Sequence, residues 1–231
     1  MLKKLLLGSV IFVGFSYGVA VGHYKVFPYD QLQAVKAKLS TESGIKKSIT
    51  TNPNYISHFS LFKGLSNDYD VVFLGDSITN AGRWNEAFID KKVANRGIGG
   101  DTSEGILNRV DQVLALNPKT VYLMFGINDI ASGEKADDIF KRYKNIVNIL
   151  IENKIEIIIQ STLLSSKDNW NVEVNQLNKY LIDLSKDNGY AYIDLNKKLA
   201  PSGLLTPDVS YDGVHLKAEM YLKWFDLIKG K

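Results

Sequence analysis

The 231-residue sequence contains no cysteine, and this absence excludes several kinds of chemistry. Disulfide bridges, thiolate catalysis, zinc–thiolate sites and a lipid anchor on cysteine all require a thiol. The absence does not indicate a compartment, because a protein without thiols tolerates oxidising and reducing surroundings alike.

Two other common features are also missing. The chain has no large excess of one charge, since 28 Lys and Arg face 25 Asp and Glu for a net charge of +3. Nucleic-acid binding usually requires a strongly basic surface, so we expect no nucleic-acid partner. A dinucleotide-binding G-x-G-x-x-G loop is absent too, because the pattern that starts at Gly97 meets Thr102 where its third glycine should stand.

An uncharged apolar run extends over residues 5–22, directly after Lys3 and Lys4. As a helix it would reach roughly 27 Å, the lower edge of what spans a bilayer. We favour an uncleaved membrane anchor over a signal peptide that ends near Gly18-Val19-Ala20, and both over a buried helix. Either membrane interpretation predicts an extracytoplasmic protein, anchored at its amino terminus or secreted after cleavage.

The remaining chain divides into two predicted segments. Residues 23–66 are interpreted as a connector, partly helical. The stretch 51–68, which extends just past its end, has turn residues around scattered aromatics and is expected to be irregular. Residues 67–231 are predicted to form the functional domain. The hydrophobic content of 45% is ample for one well-packed domain with such an appendage.

Short apolar or β-branched runs recur in the second segment and predict strands at 70–74, 92–95, 120–125, 155–160 and 191–195. Apolar stripes with helical spacing separate most of them. Strands that are apolar on both faces and alternate with helices are typical of a parallel sheet covered on both sides. We therefore predict an α/β fold, a three-layer α/β/α sandwich around a five-stranded parallel sheet. Its functional site should lie beyond the carboxyl ends of the strands.

Four stretches could carry chemistry, and they are Gly75-Asp76-Ser77, 95–105, 125–129 and 211–216. Each has an ordinary structural explanation when it is taken alone, because Gly, Ser and Asp often cap helices in strand–helix turns. Asp101 followed by Glu104, for example, suits a capping pair for the helix that carries Ile106.

Taken together, the four stretches supply the parts of a serine esterase. Ester hydrolysis by serine needs a base, a group that orients the base, and donors for the oxyanion. Of the three histidines, only His215 has a carboxylate at short fixed spacing, Asp212, and a place inside the predicted domain. Asp212 can reach the imidazole and fix its tautomer. The oxyanion donors would be the backbone N–H groups of Ser77 and Gly100 and the side-chain amide of Asn128.

These stretches resemble the conserved blocks of the SGNH (GDSL) hydrolase superfamily over residues 70 to about 228. Gly75-Asp76-Ser77 matches the nucleophile block, Gly100 the glycine block, Asn128 the asparagine block, and 212–215 the histidine block. The resemblance implies a flavodoxin-like fold and a Ser–His–Asp esterase without cofactor or metal. Thr79 stands where the G-x-S-x-G elbow of α/β-hydrolases has its closing glycine, which counts against that other fold.

Three alternatives stay open at this point. The acyl group could pass to a sugar hydroxyl rather than to water, or the chain could be a non-catalytic surface-binding module. Asp212 and His215 could also bind a metal ion, although a third ligand is missing. The predicted outward placement favours removal of short acyl (acetyl) groups from an envelope carbohydrate, with lysophospholipid or another short-chain ester as the alternative. Arg83, Trp84 and Ile127 are candidate substrate contacts.

Overall fold

The computed structural model describes residues 17, 21, 23, 24 and 48–229. Most of the apolar run over 5–22 lies outside these residues, and none of the helices that are described has the length and apolarity needed to traverse a bilayer. The anchor and the signal peptide therefore both stay predictions. One compact unit extends over Ser48–Lys231, so it includes the second part of the segment interpreted as a connector.

Five parallel strands form one sheet in the order β2-β1-β3-β4-β5. They are β1 (Val71–Gly75), β2 (Val93–Gly97), β3 (Thr120–Met124), β4 (Glu156–Gln160) and β5 (Ala191–Ile193). β1 is buried along its whole length, and β3 and β4 are buried after their first residue. This burial is the reason for the uninterrupted apolar runs in the sequence. The predicted α/β fold with a five-stranded parallel sheet is confirmed.

Helices connect and cover the strands. After a 3₁₀ turn at Ile49–Thr51 they are α1 (Pro53–Lys63), α2 (Ser77–Asn80), α3 (Trp84–Ala87), α4 (Ser103–Leu107), α5 (Val110–Leu114), α6 (Ile127–Ala131), α7 (Ala136–Glu152), α8 (Asp168–Asn188), α9 (Asn196–Leu199) and α10 (Met220–Ile228). The two longest, α7 and α8, pack against each other. α8 ends at Gly189, whose φ of +72° is the left-handed conformation that glycine adopts without strain.

Apolar residues recur with helical spacing from Ile106 to Leu114, as in one predicted stripe, but they form two helices and not one. The chain leaves the helical conformation at Arg109 (φ −125°, ψ 12°), so α4 and α5 are separate short helices. Arg109 is fully buried, and its guanidinium points into the domain. In a continuous amphipathic helix, a charged residue would normally lie on the exposed face. The sequence pattern is therefore that of two short apolar segments with a buried cation between them.

The expectation that 51–68 is irregular is wrong, because α1 occupies most of this segment. The Asn52 side chain accepts hydrogen bonds from the backbone N–H groups of Asn54 and Tyr55, and Pro53 stands in the first turn. Asn followed by Pro is a helix start that the sequence contains. α1 contacts both the loop after β2 and the helix α4 that follows it: the Asn54 side-chain amide donates to the Gly99 carbonyl at 3.0 Å, and the Tyr55 hydroxyl donates to the Gly105 carbonyl at 2.7 Å.

Candidate active site

A serine, a histidine and an aspartate form one hydrogen-bonded chain at the edge of the sheet. Ser77 is the first residue of α2, directly after β1, and its Oγ lies 2.8 Å from His215 Nε2. On the other side of the ring, His215 Nδ1 lies 2.6 Å from Asp212 Oδ2. The structure thus brings together residues 77 and 215, which are 138 positions apart. Both ring nitrogens of His215 are therefore hydrogen-bonded, one to Ser77 and the other to Asp212.

Asp212 is held in the orientation that the imidazole requires. Its Oδ1 accepts hydrogen bonds from the backbone N–H groups of Val214 (2.9 Å) and His215 (2.8 Å), which leaves Oδ2 for the ring. Desolvation opposes ionisation of Asp212, but these hydrogen bonds and the one from the imidazole outweigh it and lower its pKa. The carboxylate is therefore ionised at neutral pH and favours the tautomer of His215 that carries its proton on Nδ1.

The loops that carry Gly100 and Asn128 leave the sheet beside Ser77. Gly75 at the end of β1 pairs with Gly97 of β2 on one side and with Met124 of β3 on the other. Neighbouring strands are about 4.8 Å apart, so the three following loops start side by side. A side chain at Gly75 would collide with the Met124 carbonyl, which explains why glycine precedes the Asp-Ser pair.

Gly100 and Asn128 differ in what holds them. Gly100 has a φ of +78° in an exposed turn, a conformation in which residues other than glycine are strained. Asn128, at the start of α6, donates from its side-chain amide to the Asp101 carbonyl at 2.9 Å. That contact orients the amide and uses one of its two N–H donors.

A buried ion pair joins two of these loops to the strand ends. Arg109 Nε donates to Asp101 Oδ2 at 2.8 Å, and the two side chains are 1% and 0% exposed. Arg109 Nη2 also donates to the carbonyls of Gly75 (3.1 Å) and Arg96 (2.8 Å), at the ends of β1 and β2. One guanidinium therefore fixes the strand end before Ser77 and the residue after Gly100.

The interpretation of Asp101 and Glu104 as a capping pair is wrong. Thr102 is the N-cap of α4, and its hydroxyl accepts from the Gly105 N–H. Asp101 is buried, and burial raises its pKa to about 6 although Arg109 opposes the shift. The helix start is completed from another part of the chain, because both carboxylate oxygens of Asp129 accept from the Ser103 N–H.

Asp129 stabilises the position of its neighbour Asn128. Besides the Ser103 N–H, it accepts from the Ser103 hydroxyl at 2.6 Å. Arg142 donates to that hydroxyl at 2.6 Å and also pairs with Asp129 and Glu134. Burial raises the pKa of Asp129, and the hydrogen bonds from Ser103 and the charge of Arg142 oppose the rise. The start of α6 is thus tied to α4 and α7 by polar groups.

Asp76, the residue before the serine, is fully buried. Its Oδ1 caps α2 by accepting from the Ile78 N–H at 3.0 Å, and its Oδ2 has no hydrogen-bond partner among the described residues. Burial raises the pKa of Asp76 to about 7, the Ile78 N–H opposes the shift, and the charges of Asp101 and Asp129 add to it.

The pKa of Asp76 predicts a pH-dependent contribution to stability. A carboxyl whose pKa rises on folding contributes most when it is protonated in both states, below about pH 3.9, and its contribution is lost as the pH rises toward 7. The asparagine in Asp76→Asn stays neutral at every pH. We therefore expect the difference in free energy of unfolding, variant minus wild type, to increase by roughly 1–4 kcal/mol from pH 4 to pH 8. Urea unfolding of both proteins across this range measures the difference. Asp76→Ser, a second neutral cap, should follow the same trend, and a difference that does not change with pH would contradict the assignment.

The three candidate substrate contacts lie in different surroundings. Trp84 is buried in the core, where its ring stacks on Phe73 at 4.1 Å between centroids and its Nε1 donates to the Thr79 carbonyl. Ile127 is also buried in the core. The expectation that these two contact substrate is corrected, because packing covers both. Arg83 is exposed and lines a cleft beside His215.

This cleft has a volume of about 430 Å³ and lies between the α2–α3 region and the carboxyl-terminal part of the domain. Its wall includes His215, with Tyr211, Leu222 and Phe225 on one side and Arg83 on the other. The sequence did not predict Tyr211, Leu222 and Phe225 as neighbours of the site, since residues such as Tyr211 and Leu222 look like ordinary surface residues. The proximity of Tyr211 to the Asp212–His215 pair was the one available indication.

Comparison with known proteins gives a family and a fold. Residues 73–223 match the family model described as GDSL-like Lipase/Acylhydrolase. A GDSL-like lipase from Bacteroides thetaiotaomicron is 26% identical, with a TM-score of 0.68 over 77% of this chain and 96% of that one. The acetyl xylan esterase AlAXEase is 23% identical, with a TM-score of 0.61 over 69% of this chain and 98% of that one, a likeness of fold.

A curated relative matches only in part. The N-acylneuraminate cytidylyltransferase of Streptococcus agalactiae is 27% identical over 124 residues, which are 52% of this chain. The chain spans only 30% of the length of that relative.

Proposed function

The chain belongs to the GDSL-like lipase/acylhydrolase family, and from this premise we propose that it is a carboxylic ester hydrolase in which Ser77, His215 and Asp212 cleave short acyl esters of a carbohydrate. The observation that carries the catalytic assignment is the continuous contact from Ser77 Oγ through both nitrogens of His215 to Asp212, at 2.8 and 2.6 Å. A hydroxyl, a base and an orienting carboxylate in this order are the requirements for an acyl-serine mechanism.

In the first half-reaction, Ser77 Oγ attacks the ester carbonyl while its proton passes to His215 Nε2. Asp212 stabilises the imidazolium that forms. The oxyanion accepts hydrogen bonds from the N–H groups of Ser77 and Gly100 and from the Asn128 amide. The ester C–O bond then breaks, and the leaving alcohol takes the proton from Nε2.

In the second half-reaction, water attacks the acyl-serine while His215 Nε2 takes its proton and the same donors hold the oxyanion. The bond from Ser77 Oγ to the acyl carbon then breaks, Oγ recovers the proton from Nε2, and the carboxylic acid leaves. The side chains of His215 and Asp212 are 32% and 41% exposed, so water reaches the acyl group. This exposure favours hydrolysis over transfer of the acyl group to a sugar hydroxyl, because a transferase must keep water from its intermediate.

The carbohydrate is the finer part of the proposal. It is supported by an open cleft with both apolar and charged walls, and by the presence of an acetyl xylan esterase among the structural neighbours. An envelope carbohydrate further requires the predicted extracytoplasmic location, which protease digestion of intact spheroplasts would test. Hydrolysis rates with acetylated xylan, lysophosphatidylcholine and a series of p-nitrophenyl esters would rank the substrate classes, and preference for the lipid would overturn this part.

Asn128→Ala tests the oxyanion donors. We expect kcat to fall by about 10²–10³-fold, because the developing charge loses a positioned donor while substrate binding changes little. Turnover of p-nitrophenyl acetate is the measurement. Asn188→Ala removes an exposed amide that bonds only within α8, and it serves as the matched control. A loss below about threefold for Asn128→Ala would assign the donor role to another group.

A further inference from the structure

The cleft beside His215 has a position that assigns it to one side of the reacting ester. His215 forms part of its wall, whereas Gly100 and Asn128 do not. In the tetrahedral intermediate the oxyanion faces its hydrogen-bond donors, and the leaving oxygen faces the imidazole that must protonate it. A cavity that shares the histidine but excludes these two donors therefore adjoins the leaving group. This argument rests on the proposed function, since it requires His215 to be the base.

We propose that this cleft is a subsite for the alcohol part of the substrate and that it binds a sugar ring. Its volume of about 430 Å³ lies within the roughly 300–1,000 Å³ of small-ligand sites. The carbonyl carbon and a short acyl group remain over Ser77, outside the cleft. The residues that would contact the ring are Tyr211, Leu222, Phe225, Arg83 and Glu86.

The walls of the cleft match the two surfaces of a pyranose. Tyr211 stacks on His215, with 5.8 Å between ring centroids and 13° between planes, and is nevertheless 68% exposed. Leu222 is 63% exposed. These apolar surfaces suit the face of a sugar ring that presents C–H groups, since the negative face of an aromatic ring attracts the partly positive C–H hydrogens.

The rim of the cleft adds charged hydrogen-bonding groups. Arg83 Nη1 and Glu86 Oε1 form an ion pair at 3.2 Å on the surface. An exposed pair of this kind contributes little to stability, so it can exchange its mutual contact for ligand hydroxyls at small cost. A guanidinium donates and a carboxylate accepts, which is the combination that a hydroxyl needs. A long acyl chain has no hydrogen-bonding group that could contact either charged side chain.

The test compares two acetyl esters that differ only in the alcohol, methyl 6-O-acetyl-glucopyranoside and ethyl acetate. For Tyr211→Ala we expect kcat/KM to fall at least tenfold further on the pyranoside than on ethyl acetate. Leu222→Trp, which fills the cleft from an exposed position, should produce the same selective loss. Val172→Ala removes a side chain as exposed as Tyr211 but outside the cleft, and the ratio of the two rates should not change.

Two results would overturn the subsite. Equal losses on both esters would mean that Tyr211 acts only through His215. A changed preference between ethyl acetate and ethyl octanoate would assign the cleft to the acyl group. Labelling of Ser77 by a fluorophosphonate separates failure of the subsite from failure of the proposed function. If the wild type is labelled but the variants lose activity equally on both esters, only the subsite is overturned. If the wild type is not labelled, the subsite and the proposed function are both overturned.

Discussion

Ser77→Ala is expected to reduce kcat on p-nitrophenyl acetate by a factor that can approach about 10⁶, because no acyl-enzyme forms without the hydroxyl. The fluorophosphonate should likewise fail to label the variant. Ser77 Oγ contacts His215 at the partly exposed edge of the sheet, so its removal leaves the packing of β1 and α2 in place. The melting temperature should therefore stay close to that of the wild type.

Ser202→Ala is the matched control, since it removes an exposed hydroxyl that bonds only to the nearby Leu204 carbonyl. It should keep full activity and labelling. If Ser77→Ala retained a rate within tenfold of the wild type while folded, another nucleophile would carry the reaction. The assignments of His215 and Asp212 would then lose their basis, because both depend on contact with Ser77.

Arg109→Met is expected to lower the free energy of unfolding by about 3–5 kcal/mol, which is typical when one partner of a buried ion pair is removed. The substitution leaves Asp101 buried without its cation and removes donors from the Gly75 and Arg96 carbonyls. Urea unfolding with linear extrapolation measures the loss. The deficit should be smaller at pH 5 than at pH 8, because Asp101, whose pKa is already about 6, protonates as the pH falls.

Two further variants make this prediction specific. Arg109→Met combined with Asp101→Asn should recover part of the loss, since no uncompensated charge remains in the interior. Lys141→Met removes one partner of an exposed pair with Asp138 and should change stability by less than about 1 kcal/mol. A loss for Arg109→Met as small as that for Lys141→Met would show that the ion pair does not hold the strand ends together.

The strands were accessible from sequence because burial on both faces leaves a local pattern, as the run from Val71 to Leu74 illustrates. The stop of α8 at Gly189 was accessible for a similar reason, since one residue type suits that conformation. The four chemical stretches could be grouped because strands of a parallel sheet all end at the same edge. Their family resemblance is confirmed by the match over residues 73–223.

Long-range pairing left no such pattern. Arg109 stands in an apolar stripe, and nothing near it in sequence indicates that its guanidinium reaches the ends of two strands. Trp84 follows the nucleophile closely, yet its direction depends on Phe73 and on α10, whose Trp224 lies 4.9 Å away between centroids. α1 was not predicted for another reason: its scattered aromatics form no clear stripe, and Asn52-Pro53 alone marks its start.

The separation of 138 positions between Ser77 and His215 has a consequence during synthesis of the chain. A ribosome delivers Ser77 long before His215, so the emerging chain carries its hydroxyl without a proton acceptor. On the proposed mechanism, hydrolysis requires that the loop before α10 has closed on Ser77, because that loop carries His215. A nascent chain therefore has, on this mechanism, no base for Ser77 until synthesis has passed His215.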